Sequence, residues 1–198
     1  MLDSVDAYNR IAPVFRALAE KRAVYCSRID SIITLMIPAE SRSLLDVGAG
    51  DGSRGSRIAI AAGCKDIVLV EPSREMGCVS QHLGAKILPI RAEALDLVEG
   101  SFDVIICLWN VLGHILPSAK RQEVFCQFRR LLSAKGKIFI DVSHRYNLHY
   151  YGLLPTAIRF LRDVIHTSAD GEVNWEVAGK RCSTRVHFLS DHLKTGHT

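Results

Sequence analysis

The stretch Leu44-Leu45-Asp46-Val47-Gly48-Ala49-Gly50-Asp51-Gly52 concentrates more chemistry than any other part of this sequence. A β-rich apolar run passes straight into alternating glycines and then into a helical pattern, Arg57 to Ala62. Glycines here admit positive φ and let a ligand approach the backbone without meeting a Cβ. At the end of the first strand of an α/β sheet, that surface is where nucleotide-like ligands sit. A second apolar run closes with Val70-Glu71-Pro72-Ser73, which places Glu71 about twenty residues beyond the loop, the interval a βαβ unit imposes between glycine turn and ribose-binding acid. Counted from Gly48, a dinucleotide fingerprint G-x-G-x-x-G would need its third glycine at Ser53, so the fit to NAD or FAD is poor. Asp46 and Asp51 beside the glycines suit a cationic ligand better than a diphosphate. Asp46 has an ordinary alternative as a turn-capping residue, but its place just before Gly48 favours ligand contact.

Such a loop needs a sheet to carry it. From about residue 43 the chain alternates short β-rich runs with longer helical patterns, the mark of βαβ units feeding a parallel sheet. The candidate strands are Ser43 to Val47, Asp66 to Glu71, Ala85 to Pro89, Phe102 to Leu108 and Gly136 to Val142. Their near-continuous apolar character, as in Val104-Ile105-Ile106-Cys107-Leu108, is expected where helices cover both faces. The fold class is therefore α/β, a doubly wound, mostly parallel sheet. Ser118 to Ala134 reads as a helix with a 3.6-residue apolar stripe, and Leu2 to Leu18 and Lys21 to Met36 as two N-terminal helices. Beyond the last strand, Pro155 to Ile165 is amphipathic, and Val173 to Val177 and Thr184 to Phe188 alternate like two half-exposed strands.

At 198 residues the chain has room for one core with decoration. The expected organisation is an N-terminal helical cap over 1–40, a binding core over 41–143 and a lid or acceptor region over 144–198. Hydrophobic residues make up 48% and charged residues 23%, the balance of a globular protein. No apolar run approaches the roughly 18 residues of a membrane helix, and acidic residues stand where a signal peptide carries basic ones. A cytoplasmic location without membrane partners is expected. Six scattered cysteines suggest neither a zinc site nor a disulfide framework, so no metal is expected. A formal charge of +4, spread along the chain, leaves nucleic-acid binding open without favouring it.

Over about residues 40 to 142 the sequence resembles the class I S-adenosylmethionine-dependent methyltransferases. Leu44 to Gly52 looks like that family's first motif, and Val70-Glu71-Pro72-Ser73 like its second. Arg91-Ala92-Glu93-Ala94-Leu95 is similar to the adenine-contacting loop, and Phe102-Asp103-Val104-Ile105-Ile106 with Leu108-Trp109-Asn110 to the fourth motif. In Leu131-Leu132-Ser133-Ala134-Lys135-Gly136-Lys137 the usual proline-glycine pair has lost its proline. The resemblance implies a Rossmann-like methyltransferase fold, S-adenosyl-L-methionine as cofactor, and cofactor contacts from Asp46, Gly48, Ala49, Gly50, Glu71, Pro72, Ala92, Glu93, Leu108 and Trp109. Glu93 also reads as an ordinary acid at a helix start, and Trp109 as simple packing.

His114 follows the fourth motif and reads either as a base or acceptor-orienting group or as a structural histidine lining the pocket. Asp6-Ala7-Tyr8-Asn9-Arg10-Ile11-Ala12 resembles the tyrosine-bearing helix that many small-molecule members fold over the cofactor, which would bring Tyr8 to the methionine end or acceptor; a plain helix-packing tyrosine is the other reading. His144, Tyr146, Tyr150 and Tyr151 stand where acceptor-binding insertions occur in this family, and read equally as an amphipathic lid surface. Methyl transfer is an in-line displacement at carbon, so much of its catalysis comes from positioning and desolvation. A small-molecule acceptor is the leading reading. The alternatives are RNA, gripped by Arg145, Arg159, Arg162, Lys180, Arg181 and Arg185, and a non-catalytic partner subunit. The two alternating C-terminal strands are expected as a lid hairpin and not as completion of the sheet. The fifth strand is then an exposed edge, which predicts a homodimer or a chain stopping short of its natural end.

Overall fold

The computed structural model describes residues 3–80, 84–115, 118–165, 172–177 and 180–185. Two helices, α1 (Ser4–Glu20) and α2 (Ala23–Met36), precede an alternation of strand and helix: β1 (Ser43–Val47), α3 (Ser53–Ala61), β2 (Asp66–Val70), α4 (Arg74–Ser80), β3 (Lys86–Leu88), β4 (Phe102–Cys107), α5 (Ser118–Leu131) and β5 (Leu132–Ile140). Short 3-10 segments at Ala92–Leu97 and Val111–His114 flank β4. Then come α6 (Leu148–Tyr151), α7 (Leu153–Ile165), β6 (Glu172–Val177) and β7 (Lys180–Arg185). Among the described residues no helix is long and apolar enough to cross a membrane.

The five strands β1 to β5 form one parallel sheet in the order β3-β2-β1-β4-β5. The central strands β1 and β4 are nearly all buried because each is covered on both faces, whereas the edge strands β3 and β5 carry exposed residues. Leu44 and then Val104, Ile106 and Leu108 point to one side, where Ile33 and Ile37 of the α2 region and Ile58 and Ala59 of α3 cover them. Leu45, Val47, Ile105 and Cys107 point to the other, against Leu95 and α5 through Val124, Phe128 and Leu131. The period-2 alternation of a strand thus divides one continuous apolar run between two cores. Chain order reverses at β1, which lies between β2 and β4, and the crevice at the carboxyl ends there is the ligand position of this architecture.

The fifth strand starts earlier than its sequence suggests. Leu132 already pairs with Phe102, the register then shifts, and Lys137 pairs with Val104. The stretch expected as a plain helix-to-strand turn is a bulge. Asp103 anchors it, accepting hydrogen bonds from the amides of Arg42 (2.8 Å) and Ser43 (3.2 Å) and from the hydroxyls of Ser43 (3.2 Å) and Ser133 (3.1 Å). These donors, the Arg42 amide foremost, hold its carboxyl below the usual range. Gly136 is required by the same bulge, since a Cβ there would stand 2.7 Å from Leu132 Cδ1 and 3.0 Å from the Asp103 carbonyl.

The C-terminal pair is an antiparallel hairpin in its own two-stranded sheet, with Val177 opposite Lys180 and Trp175 opposite Cys182. Its second strand begins four residues earlier than the expected Thr184, because pairing with β6, Lys180 opposite Val177, sets the register and alternation alone does not. Residues 186–188, also expected in that strand, lie outside the described residues. The hairpin runs beside α1 and the Val111–His114 segment, and β5 is an edge strand among the described residues.

Candidate functional site

Gly48, Gly50 and Gly52 all have positive φ (76°, 58° and 70°), which turns the chain sharply from β1 into α3. The turn is held from below, as the amides of Gly48 (2.8 Å) and Ala49 (3.0 Å) both donate to the Val70 carbonyl at the tip of β2. It is held from the side by Glu71, whose Oε2 accepts the Gly50 amide at 2.8 Å while Oε1 accepts the Ser73 amide at 2.8 Å. Burial raises the Glu71 carboxyl, and these two amides pull it back. A carboxylate oxygen has two lone pairs, so Glu71 can join the glycine loop to the β2 tip and still accept a pair of ribose hydroxyls.

The start of α3 decides between ligand classes. Its Ser53 amide (3.1 Å) and Ser53 hydroxyl (2.7 Å) both donate to Asp51 Oδ1. A carboxylate therefore occupies the helix end where a dinucleotide would place its pyrophosphate. The spacing Gly50-Asp51-Gly52-Ser53-Arg54-Gly55 is itself a G-x-G-x-x-G, two residues later than the count from Gly48. Its third glycine serves packing, because a Cβ at Gly55 would meet Asp46 Oδ2 at 2.1 Å. Asp46 is 4% exposed beneath the loop, and burial pushes its carboxyl up to about 7, with Arg54 acting in the opposite direction. A cation placed nearby would favour its charged form.

At the end of β4, Trp109 and Asn110 both take left-handed backbone (φ 63° and 60°), a conformation costing roughly 1–3 kcal/mol per non-glycine residue. Asn110 bears it through three bonds: its amide to the Asp141 carbonyl (3.1 Å), its Oδ1 from the Ser143 amide (3.0 Å) and its carbonyl from the Gly113 amide (2.9 Å). The turn sends Trp109 edge-on to Phe15 of α1, ring centroids 5.5 Å apart, with the Arg22 guanidinium 5.8 Å from its ring. Phe15 also covers the loop, since a Cβ on Gly50 would lie 3.4 Å from its ring.

The same helix carries Tyr8 to His114. Their rings meet edge to face at 5.6 Å and the Tyr8 hydroxyl is 3.4 Å from His114 Nε2. Burial pushes the Tyr8 phenol up to about 12, helped by the Glu71 charge and opposed by Arg22. Burial lowers His114 to about 4. Both groups are therefore neutral at physiological pH, one too acidic as a conjugate acid and the other too weakly acidic to move a proton readily there. Because an unfolded histidine titrates near 6.5, stability conferred by neutral His114 is present above that pH and is lost as pH falls from about 6.5 towards 4. In thermal melts at pH 7 and pH 5, His114→Gln should lose less stability on acidification than the native chain. Equal losses would contradict the assigned burial.

One cavity of about 880 Å3 gathers these groups. All ten residues expected at a cofactor (Asp46, Gly48, Ala49, Gly50, Glu71, Pro72, Ala92, Glu93, Leu108 and Trp109) line it, as do Tyr8 and His114. It runs on between α2 and α3 past Thr34 and Asp30, whose carboxylate accepts the Arg54 Nε–H at 2.7 Å. At the opposite end Arg91 pairs with Asp3 just before α1. Sequence reasoning missed Phe15, Asn9, Ser73, Gly55 and Asn110. The G-x-G-x-x-G spacing could have found Gly55, and asparagine's tolerance of left-handed backbone is a weak pointer to Asn110. Asn9 and Ser73 stand inside the quoted motif segments beside Tyr8 and Glu71, while Phe15 has no local signature. In the tyrosine- and histidine-rich segment, Tyr146 packs edge-on to His144 and to Phe160, centroids 5.9 and 5.8 Å apart, and none of these is among the cavity-lining residues described above.

A parallel sheet with a glycine loop, an acid at the next strand tip and a helix end capped by Asp51 is a Rossmann-like α/β arrangement. Residues 45–138, just under half of the chain, match the family model described as a methyltransferase domain. No curated protein matches the sequence. Among solved structures, a complex of DhpI with SAM and HEP is similar with a TM-score of 0.69 at 13% identity, covering 94% of this chain and 84% of that one. The plantazolicin methyltransferase BpumL in complex with SAH gives 0.56 at 17% identity, over 85% of this chain and 77% of that one. The sugar N-methyltransferase KedS8 from Streptoalloteichus gives 0.53 at 21% identity, over 64% and 51%. At these identities the likeness is one of fold.

Proposed function

We propose that this chain transfers a methyl group from S-adenosylmethionine to a small-molecule acceptor. The observation that carries this reading is that one cavity is lined both by Glu71 and the glycine loop and by the neutral Tyr8–His114 pair. When bound, S-adenosylmethionine supplies a methyl group activated on a sulfonium. Glu71 takes the ribose hydroxyls, Ala92 and Glu93 flank the base, Pro72 walls the ribose side, and Asp46 balances positive charge from beneath the loop. Leu108 and Trp109 line the methionine side, and Tyr8 and His114 orient the acceptor through hydrogen bonds.

With His114 at about 4 and Tyr8 at about 12, neither group of that pair is a base matched to neutral pH. The reading is therefore of an acceptor whose lone pair is already available, brought into line by positioning and dehydration under α1. The small-molecule class is supported by the cover that α1 lays over the cavity and by fold neighbours named as sugar and plantazolicin methyltransferases. Of the basic residues that an RNA grip would use, Arg145 is buried and Arg159 stacks 3.7 Å from the Tyr151 ring.

Calorimetric titration with S-adenosylhomocysteine and with NAD tests the cofactor, and labelled S-adenosylmethionine added to a cell extract tests the acceptor. Binding of the former ligand alone, with label entering the small-molecule fraction, is expected. Label confined to RNA would overturn the acceptor class, and tight NAD binding would overturn the cofactor.

A further inference from the structure

Ser73 joins two parts of the molecule that are 64 residues apart in sequence. Its hydroxyl oxygen accepts the Met76 amide at 3.2 Å, capping α4, so the one hydroxyl hydrogen is left to donate elsewhere. It goes to Asn9 Oδ1 on α1, at 2.8 Å, where the Glu75 amide also donates at 3.3 Å. The Ser73 amide meanwhile donates to Glu71 Oε1, whose other oxygen holds Gly50. Asn9, Ser73, Glu71 and Gly50 thus form one continuous chain of hydrogen bonds from the covering helix to the glycine loop. Ser73 is fully buried and its bond to Glu71, like that of Glu71 to Gly50, is closed to competing water, while the Asn9 end is half-buried.

The neighbour of Asn9 is Tyr8, which meets His114. Pro13 lies inside α1 between Asn9 and Phe15, and having no N–H it leaves the Asn9 carbonyl without its helical donor. The segment carrying Tyr8 and Asn9 is therefore stiffened less by its own helix and depends more on what it docks against, namely α4 and the loop before it.

We propose that Asn9 and Ser73 are positioning residues that make the seating of α1, and with it Tyr8 beside His114, depend on a ribose held at Glu71. The proposal rests on the reading of Glu71 as the ribose acceptor. Ribose hydroxyls donating to Glu71 fix its carboxylate where it receives the Ser73 amide. That fixes the Ser73 hydroxyl on Asn9, so the acceptor end of the cavity is completed after the nucleoside end is filled. The consequence is ordered binding, cofactor before acceptor.

Hydrogen–deuterium exchange of the α1 amides in the full chain, with and without saturating S-adenosylhomocysteine, reads this coupling. Ligand should slow α1 exchange by about tenfold in the native chain, the scale of one such hydrogen bond gained or lost. Asn9→Ala should abolish that increment while S-adenosylhomocysteine still binds, and Asn9→Asp, which keeps the acceptor oxygen, should restore it. A purely structural Asn9 would change α1 exchange in the ligand-free chain and leave the increment intact, which overturns the proposal, as does failure of Asn9→Asp to restore it. Should Asn9→Ala not fold, Ser73→Ala removes the donor from the other side and is expected to abolish the same increment. Absence of S-adenosylhomocysteine binding in the native chain would instead refute the cofactor reading on which the proposal stands.

Discussion

Alanine at Gly48 is expected to lower the stability of the chain by about 2–5 kcal/mol, combining overpacking with the strain of left-handed backbone. The new methyl would stand 2.3 and 2.8 Å from the two γ carbons of Val111 and 3.1 Å from its Cβ. Rotating Val111 cannot clear that contact, because its branched carbon itself is involved and β-branched side chains have few rotamers. Moving Gly48 is no easier, since its amide is bound to the Val70 carbonyl and its φ is 76°. The glycine loop and the segment bearing His114 would have to separate. Urea denaturation should therefore show a reduced midpoint for Gly48→Ala, and Val111→Ala in the same chain should recover part of the loss. A midpoint unchanged from the native chain would mean that the loop and the Val111–His114 segment do not touch.

Removing the Glu71 side chain is expected to weaken S-adenosylhomocysteine binding by about 1.5–3 kcal/mol, a loss on the order of ten- to a hundredfold or somewhat more, as for hydrogen bonds to a charged group. Glu71→Ala also leaves the Gly50 and Ser73 amides without the acceptors they now have in Glu71. Stability should fall as well, by roughly 1–3 kcal/mol for each donor left buried and unsatisfied. Glu71→Gln separates the two effects, because its single carbonyl oxygen can serve one amide while its NH2 faces the other. It should fall between Ala and the native residue in both affinity and melting temperature. Calorimetry on folded Glu71→Ala that shows affinity within about twofold of native would remove Glu71 from the ribose site.

Both experiments probe contacts that the sequence reveals unevenly. Glu71 is legible because a βαβ unit fixes the distance from glycine turn to second strand tip, so local geometry alone carries the acid to the crevice. Its bonds to Gly50 and Ser73 are likewise consequences of that unit. The partnership of Gly48 with Val111 is not, because it depends on how closely the segment after β4 approaches the β1 loop.

The order of strands and helices, the apolar filling of the central strands and the glycine turn at the end of β1 are all readable from the chain, since each arises from residues close in sequence with a repeating spacing. Strand ends were less so. The bulge at the start of β5 and the register of the hairpin were set by pairing partners, Phe102 with Leu132 and Val177 with Lys180, about which apolar alternation is silent. What only the tertiary structure decided is how α1 meets the rest of the cavity. Tyr8 and His114 are 106 residues apart, Asn9 and Ser73 are 64 apart, and Phe15 comes to cover Gly50 from a separate helix. The periodicity of α1 identifies a helix with an apolar face but does not say which surface that face covers. That is settled by packing, where buried area, the Asn9–Ser73 bond and the space left above a residue without a Cβ act together.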